Sequence, residues 1–376
     1  MKFTELLREV PTVLRDVYEN QITKRSRVLS PTVLHVNVNL RCNTHCAMCN
    51  IWELRSPHLL TLEQFDTIFS DPVYARVEYV MLAGGEPTLR DDLPEIVTLM
   101  HRHMPRLRKV QIASNVVYTA SVRAQYPRIV RYCHDHGIRL SLGVSLDGIG
   151  DTHDKIRGAR GAFKKAMESV QFMKELQRAT PFTMSLDPTV FSMNIGELEQ
   201  LKELAERLDL PIVFQIAAIS DDYYGNSGTA GSLALTEAGR STLVKFLKRR
   251  VAEASLLDAL AYYYAEAIEH AEGAPARSLP CPYADQGLLL NPDGTVQYCH
   301  NSRPIGNVLE TSSTELYYSA DNQAYLGTVR KESCAGCRMS CMFWVGLRKE
   351  PLTFLSFVVK RAFGVHRLHW RRRADA

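Results

Sequence analysis

Three cysteines fall within eight residues in the stretch RCNTHCAMCNIW: Cys42, Cys46 and Cys49. A structural zinc ion would want a fourth ligand. A disulfide would leave one thiol over. The spacing C-x3-C-x2-C is neither the paired CxxC of a zinc ribbon nor the single CxxC of a redox motif. Thiolates are soft ligands that suit iron–sulfur clusters. Three of them on a [4Fe–4S] cube leave one iron open to a small chelator; a purely structural thiol group is the alternative. Further along comes AGGEP, Ala83 to Pro87. Gly84 and Gly85 permit close approach to the backbone, and Glu86 offers a carboxylate to an ammonium group. Taken alone, this segment reads equally well as a tight turn with a surface glutamate.

Five more cysteines crowd the C-terminal part. CPYADQGLLLNPDGTVQYC holds Cys281, Gly294 and Cys299, and CAGCRMSC holds Cys334, Cys337 and Cys341. The PDG turn predicts a hairpin that brings Cys299 back toward Cys281. These five suffice to complete one cluster and not two; a zinc site is the alternative reading. Cys133, the ninth cysteine, sits in a helical pattern as a core residue.

Positioning these groups falls to alternating short β-rich runs and helical patterns. Strands are expected at Val33–Asn39, Val77–Ala83, Arg108–Ser114, Ile138–Asp147, Pro181–Val190 and Pro211–Ile219. Helical stretches separate them, and Thr61 with Gln64 forms a capping box at the first. Such alternation predicts βαβ units and a parallel sheet. Six units fit an open doubly wound sheet or a partial (β/α)6 TIM-like barrel, with the chemistry at the carboxyl ends of the strands. The expected organisation is an N-terminal helix over 1–30, the barrel over 31–235 and a helical connection over 236–279. A small C-terminal Cys-rich iron–sulfur module follows over 280–345, then a basic amphipathic tail over 346–376.

The chain has 376 residues, 45% hydrophobic and 23% charged, with a net charge of +4. Lys360 to Ala376 holds six Lys/Arg and one Asp, so the body is close to neutral and carries no nucleic-acid footprint. No apolar run is long enough to span a membrane. The N-terminus is too charged for a signal peptide. A cytoplasmic, reduced location follows, in which clustered cysteines suggest metal rather than disulfides. The tail mixes Phe, Leu, Val and Trp with clustered Arg, which suits peripheral contact with an anionic membrane as well as a packed helix with a solvated tip. Asp221, Asp222, Tyr223 and Tyr224 follow the sixth strand, as substrate contacts or as a solvated loop.

The cysteine triad after strand one, together with GGEP after strand two, resembles the radical S-adenosylmethionine (SAM) superfamily across the barrel. The resemblance implies that Cys42, Cys46 and Cys49 hold a [4Fe–4S] cluster whose open iron binds the amino and carboxylate groups of SAM. It implies SAM contacts at Gly84, Gly85, Glu86, Ser114, Asn115, Ser145, Asp147 and Arg157. Met48 departs from the frequent aromatic before the third cysteine. The C-terminal cysteines resemble a SPASM/twitch auxiliary-cluster domain, although the second run, C-x2-C-x3-C, is shorter than the full pattern. The resemblance implies reductive SAM cleavage, hydrogen abstraction by a 5′-deoxyadenosyl radical, and a flavodoxin- or ferredoxin-type electron donor. The expected reaction is oxidation of a small-molecule substrate, a radical SAM oxidoreductase with no protein acid or base singled out as catalytic. A peptide (RiPP) maturase and a radical modifier of lipid-type substrates are the alternatives.

Overall fold

The structure, a computed structural model, describes all residues except 1–10, 20–21, 24–26, 55–57, 222, 275–276, 279–280, 335, 338, 340–341 and 365–376. It divides into two compact units. The larger holds Ser30–Leu235 and Gln286–Val329; the smaller holds Met1–Leu29, Thr236–Asp285 and Arg330–Ala376. The motif-based boundaries expected at 280 and 345 differ from this partition by contacts.

The larger unit is α/β, a partial (β/α)6 barrel. Strands β1 (Val33–Asn39), β2 (Tyr79–Gly84), β3 (Lys109–Ser114), β4 (Arg139–Val144) and β5 (Thr183–Leu186) lie side by side in sequence order, all parallel. Helices α1 (Leu62–Phe69), α2 (Leu93–His103), α3 (Thr119–Asp135), α4 (Asp151–Arg157) and α5 (Ala162–Ala179) connect them, and α6 (Leu198–Arg207) follows β5. Every residue of β1 is buried, as befits a strand covered on both faces. The capping box at α1 is made in full: Gln64 N donates to Thr61 Oγ1 at 3.2 Å, and Thr61 N donates to Gln64 Oε1 at 2.9 Å. Cys133 lies buried in α3.

Two strand expectations need correction. The run Pro181–Val190 is not one strand: it breaks into β5 and β6 (Thr189–Val190) at Asp187–Pro188. Proline has no N–H to donate at that rung. Pro211–Ile219 pairs along both pieces, through Val213 N to Leu186 O, Gln215 N to Pro188 O and Ala217 N to Val190 O. Only Gln215–Ile216 (β7) forms a regular ladder, with β6. The other edge of β1 also has a partner that the βα alternation did not announce. Strand β8 (Gly287–Leu290) pairs parallel to β1, then turns through Asn291–Gly294 into antiparallel β9 (Thr295–Gln297), followed by β10 (Gly306–Asn307). The hairpin is therefore present, and it extends the barrel sheet. Gly294, at φ +86°, supplies the left-handed turn residue.

The smaller unit is helical. Glu237–Glu253 is capped by Thr236 and Ala259–Ala271 by Asp258. Phe343–Lys349 and Pro351–Ala362 follow, and residues 11–19 are helical. Tyr262 packs edge-on against Phe357, and Tyr263 stacks on Phe343. Among the described residues no helix is long and apolar enough to cross a membrane.

Candidate active site

The carboxyl ends of the barrel strands surround a cavity of about 200 Å³. Cys42, Cys46, Cys49, Gly84, Gly85, Glu86, Ser114, Asn115, Ser145 and Arg157 all reach its wall. Asp147 does not. It is fully buried behind the wall, where Oδ2 sits 2.6 Å from Arg157 Nη2 and Oδ1 accepts from Thr189 N at 2.8 Å. Asp147 thus aims Arg157, while Arg157 Nη1 reaches Cys46 Sγ at 3.5 Å.

The cysteine loop is fixed from two sides. His45 N and Ala47 N donate to the carbonyls of Arg157 and Ile156, in the last turn of α4. Gly158, left-handed at φ +57°, ends that helix; a Cβ there would lie 2.4 Å from His45 O. On the other side Asn50 N donates to Tyr224 O, and Asn226 Nδ2 donates to Met48 O. Met48 is buried with Ile156, Phe191 and Leu233. Met48 thus packs into an apolar cluster at the position where the family frequently has an aromatic.

The polar groups around the sulfurs suit negative charge. The Thr44 hydroxyl lies 3.3 Å from Cys42 Sγ and 3.4 Å from Cys46 Sγ, and Asn115 Nδ2 points at Cys42 Sγ from 3.9 Å. Burial pushes the Cys42 thiol up and that of Cys49 up to about 12. Thiolates here need a bound cation to balance them. Among the described residues no three His, Cys, Asp or Glu side chains converge as they would on a single metal ion. Three cysteines, a guanidinium, an amide and a hydroxyl around one cavity fit an iron–sulfur cluster.

Glu86 has a bracing role that its motif did not reveal. Its Oε1 accepts from Thr88 N, Thr88 Oγ1 and Ser114 Oγ at 3.1, 2.6 and 2.7 Å, and Oε2 accepts from Asn115 N at 2.7 Å. The carboxylate ties the GGEP turn to the end of β3. The two glycines have an equally internal reason. A Cβ on Gly84 would lie 2.1 Å from Asn39 O, and one on Gly85 would lie 2.0 Å from Arg41 O. The side on which they permit close approach is thus taken by the chain's own backbone at the end of β1 and just past it. Glu86→Gln turns one of the four donors toward an NH2 group. It is expected to cost about 1.5–3 kcal/mol of stability as well as SAM affinity. Thermal unfolding without SAM, alongside SAM titration, checks this; unchanged unfolding would contradict the brace.

Sequence reasoning missed Asp187. It stands at the break between β5 and β6 and lines the cavity. Ser185 Oγ donates to its Oδ1 at 2.7 Å, and Oδ2 lies over Gly143, whose added Cβ would come within 2.4 Å. The available signal was an acid before a proline at the end of an inward-facing strand. Tyr223 and Tyr224 also line the cavity, whereas Asp221 Oδ1 accepts from Ser227 N in an exposed turn; Asp222 is outside the described residues.

In the smaller unit, Arg277 Nη1 lies 3.8 Å from Cys337 Sγ and donates to Met339 O. Burial raises the thiols of Cys281 and Cys334, the latter to about 11, and in both the charge of Cys337 adds to the rise. Cys299 lies in the larger unit, past β9, with its N–H on Ser302 Oγ. Cys341 falls outside the described residues. No disulfide joins the described cysteines.

Residues 36–208 match the sequence model of the Radical SAM superfamily, so this chain carries a radical SAM domain over its barrel. Cys42, Cys46, Cys49, Glu86 and Arg157, which line the cavity, all fall within that match. Fe-coproporphyrin III synthase of Methanosarcina barkeri is 27% identical over 177 residues, 46% of this chain and 41% of that protein; the chain thus matches under half of that relative's length. PqqA peptide cyclase of Ruegeria pomeroyi is 27% identical over 343 residues, 86% of this chain and 84% of that protein. The solved structure of anSMEcpe with bound AdoMet shares the fold, with a TM-score of 0.57 at 15% identity, covering 90% of this chain and 100% of that one.

Proposed function

We propose that this enzyme abstracts a hydrogen atom from a peptide substrate, in place of the small molecule expected from the sequence, and that the modified peptide is oxidised. The observation that carries this reading is the similarity to a peptide cyclase over 86% of this chain and 84% of that protein, a span that extends well past the barrel.

When bound, the [4Fe–4S] cluster and SAM supply the hydrogen-abstracting radical, and an auxiliary iron–sulfur cluster supplies an electron sink. Cys42, Cys46 and Cys49 would hold the first; Cys281, Cys334 and Cys337 are proposed for the second. Cys299 and Cys341 stay as sequence-based candidates. Arg157, Thr44 and Asn115 stabilise the thiolates of the first site. Ser145 and the backbone of Gly84 and Gly85 offer polar contacts to SAM, and Glu86 holds the ends of β2 and β3 in place. Ile51, Trp52, Tyr223 and Tyr224 wall the cavity against water.

Asp187 takes the proton that an oxidised substrate must lose. Burial pushes its carboxyl up to about 6, against the opposing pull of Ser185 and the Lys109 charge. The unfolded value is about 3.9, so between these limits the folded chain binds more protons. Stability therefore falls as pH rises from about 4 to about 6. Asp187→Asn should remove that slope and stabilise the protein by about 1–2 kcal/mol at neutral pH. Product formation should be lost while SAM cleavage continues. Unfolding curves across this range and product assays check both; a variant with full product yield would remove Asp187 from the chemistry.

The substrate class is tested with extracts of the native cell grown on deuterated medium. The reconstituted enzyme is given SAM and reductant anaerobically, and deuterium is followed into 5′-deoxyadenosine. Digesting the extract with peptidase beforehand should abolish the transfer. Transfer that survives digestion would return the reading to a small molecule.

A further inference from the structure

The turn between β4 and α4 is held by side chains that do not reach the cavity. His153, in the first turn of α4, accepts from Asp147 N through Nδ1 at 3.1 Å. Asn194 grips the other side of the same residue. Its Nδ2 donates to Asp147 O at 2.8 Å and to Thr189 O at 2.7 Å, and its Oδ1 accepts from Phe191 N at 2.9 Å. Both side chains are wholly buried, and neither lines the cavity. Helix α4 is seven residues long, and its N-cap, Gly150, makes no side-chain cap bond. A helix this short owes its placement to tertiary contacts rather than to its own propensity.

The direction of α4 matters because its far end meets the cysteines. Ile156 O and Arg157 O accept from Ala47 N and His45 N at 2.8 and 2.9 Å, and Arg157 Nη1 stands 3.5 Å from Cys46 Sγ. Arg157 Nη2 is held by Asp147 Oδ2 and Ser145 O. Asp147 is thus gripped at its N–H and its C=O, and its carboxylate passes that placement on to the guanidinium. The imidazole carries a cost that points to this use. Burial, and then the Arg157 charge, push its pKa down to about 3, so the ring is neutral and carries one proton. Because Nδ1 accepts, that proton is assigned to Nε2. Nε2 is buried and has no hydrogen-bond partner among the described residues. An unmade buried donor is destabilising; a residue serving stability alone would not leave one.

We propose that His153 and Asn194 are positioning residues for the [4Fe–4S] centre: by gripping Asp147 they set the aim of Arg157 at Cys46 and, through that guanidinium, the reduction potential of the cluster. The inference rests on the assignment of that cluster to Cys42, Cys46 and Cys49. Reduction adds one electron, and so one negative charge, to the cluster. A cation beside a ligand sulfur in a buried site favours that change. Misaiming Arg157 leaves the cluster harder to reduce.

The full-length chain is reconstituted, and its clusters are titrated with reductant and followed by electron paramagnetic resonance. The signal of this cluster is the one missing when Cys42, Cys46 and Cys49 are all replaced by Ala. A spectrum that loses nothing there overturns the cluster assignment before the inference is reached. His153→Asn and His153→Gln are the informative pair. Asn places its amide where Nδ1 lies and drops the orphan N–H. Gln reaches the place of Nε2 and leaves Asp147 N without its acceptor. The Asn variant should titrate with the parent and unfold no earlier. The Gln variant should shift the redox equilibrium about tenfold toward the oxidised cluster, which is about 59 mV for one electron; Asn194→Leu should do the same. In an Arg157→Gln background these substitutions should add no further shift, because their effect passes through the guanidinium. Circular dichroism checks each fold, and Asn194→Leu carries the test if the Gln variant does not fold. Equal potentials in the folded Asn and Gln variants would overturn the proposal, as would a shift of the same size without Arg157; the clamp would then serve stability alone.

Discussion

Replacing Cys42, Cys46 and Cys49 together by alanine is expected to remove about four irons per chain and to abolish SAM cleavage. The fold should survive, because the loop is anchored by its backbone. His45 N, Ala47 N and Met48 O keep their partners whatever side chains stand at the cysteines. Circular dichroism should thus match the parent, while iron content and visible absorbance fall. The alanines also remove the Cys42 and Cys49 thiols, whose ionised forms burial disfavours without metal, so the metal-free variant should unfold no earlier than the metal-free parent. Stoichiometric zinc with little iron in the parent would sink the cluster assignment. Full SAM cleavage by the triple variant would do so equally.

The second large effect is expected at Arg157. Its side chain is almost wholly buried against Asp147, which is fully buried. Arg157→Ala leaves a carboxylate in the interior without its counter-charge, at a cost of about 3–5 kcal/mol. It also removes the guanidinium from Cys46 Sγ. Adding Asp147→Asn should restore at least half of the lost stability, because the neutral amide still offers an oxygen to Thr189 N. It should not restore iron retention, since the cysteine has still lost its cationic neighbour. This split between stability and iron content separates the two roles. If the second substitution rescues neither, the pair is not the source of the loss; if it rescues both, the contact to Cys46 is incidental.

Much of the scaffold could be read locally. β1 spans the seven residues its β-branched run announced, and the Thr61–Gln64 box caps α1 with both bonds. Because β1 and β2 are parallel neighbours, a motif just after each must share one end of the sheet. That fits the single site which the resemblance to the radical SAM superfamily implied for the cysteine triad and GGEP. The PDG hairpin was legible for the same reason: it depends on residues within a few positions of one another.

The tertiary structure decided what depends on distant partners. Glu86 looked like a ligand-facing carboxylate, yet Ser114 and Asn115, 28 and 29 residues away, spend much of its hydrogen-bonding capacity. Asp147 was expected at the cofactor and instead orients Arg157, whose other end meets a cysteine 111 residues earlier. Pro188 divided one expected strand in two and left Asp187 at the cavity. β8 came from the Cys-rich region to pair with β1, and Asn291 bonds Asn37 across 254 residues. The sequence by itself determined the three-cysteine loop, the βα alternation and the chemistry these can support. Which side chains face the cavity, and which are consumed in holding it, was settled only when chain closure brought remote donors and acceptors together. Hydrogen bonding in a buried site is decided by whichever partner arrives, and local spacing does not encode that.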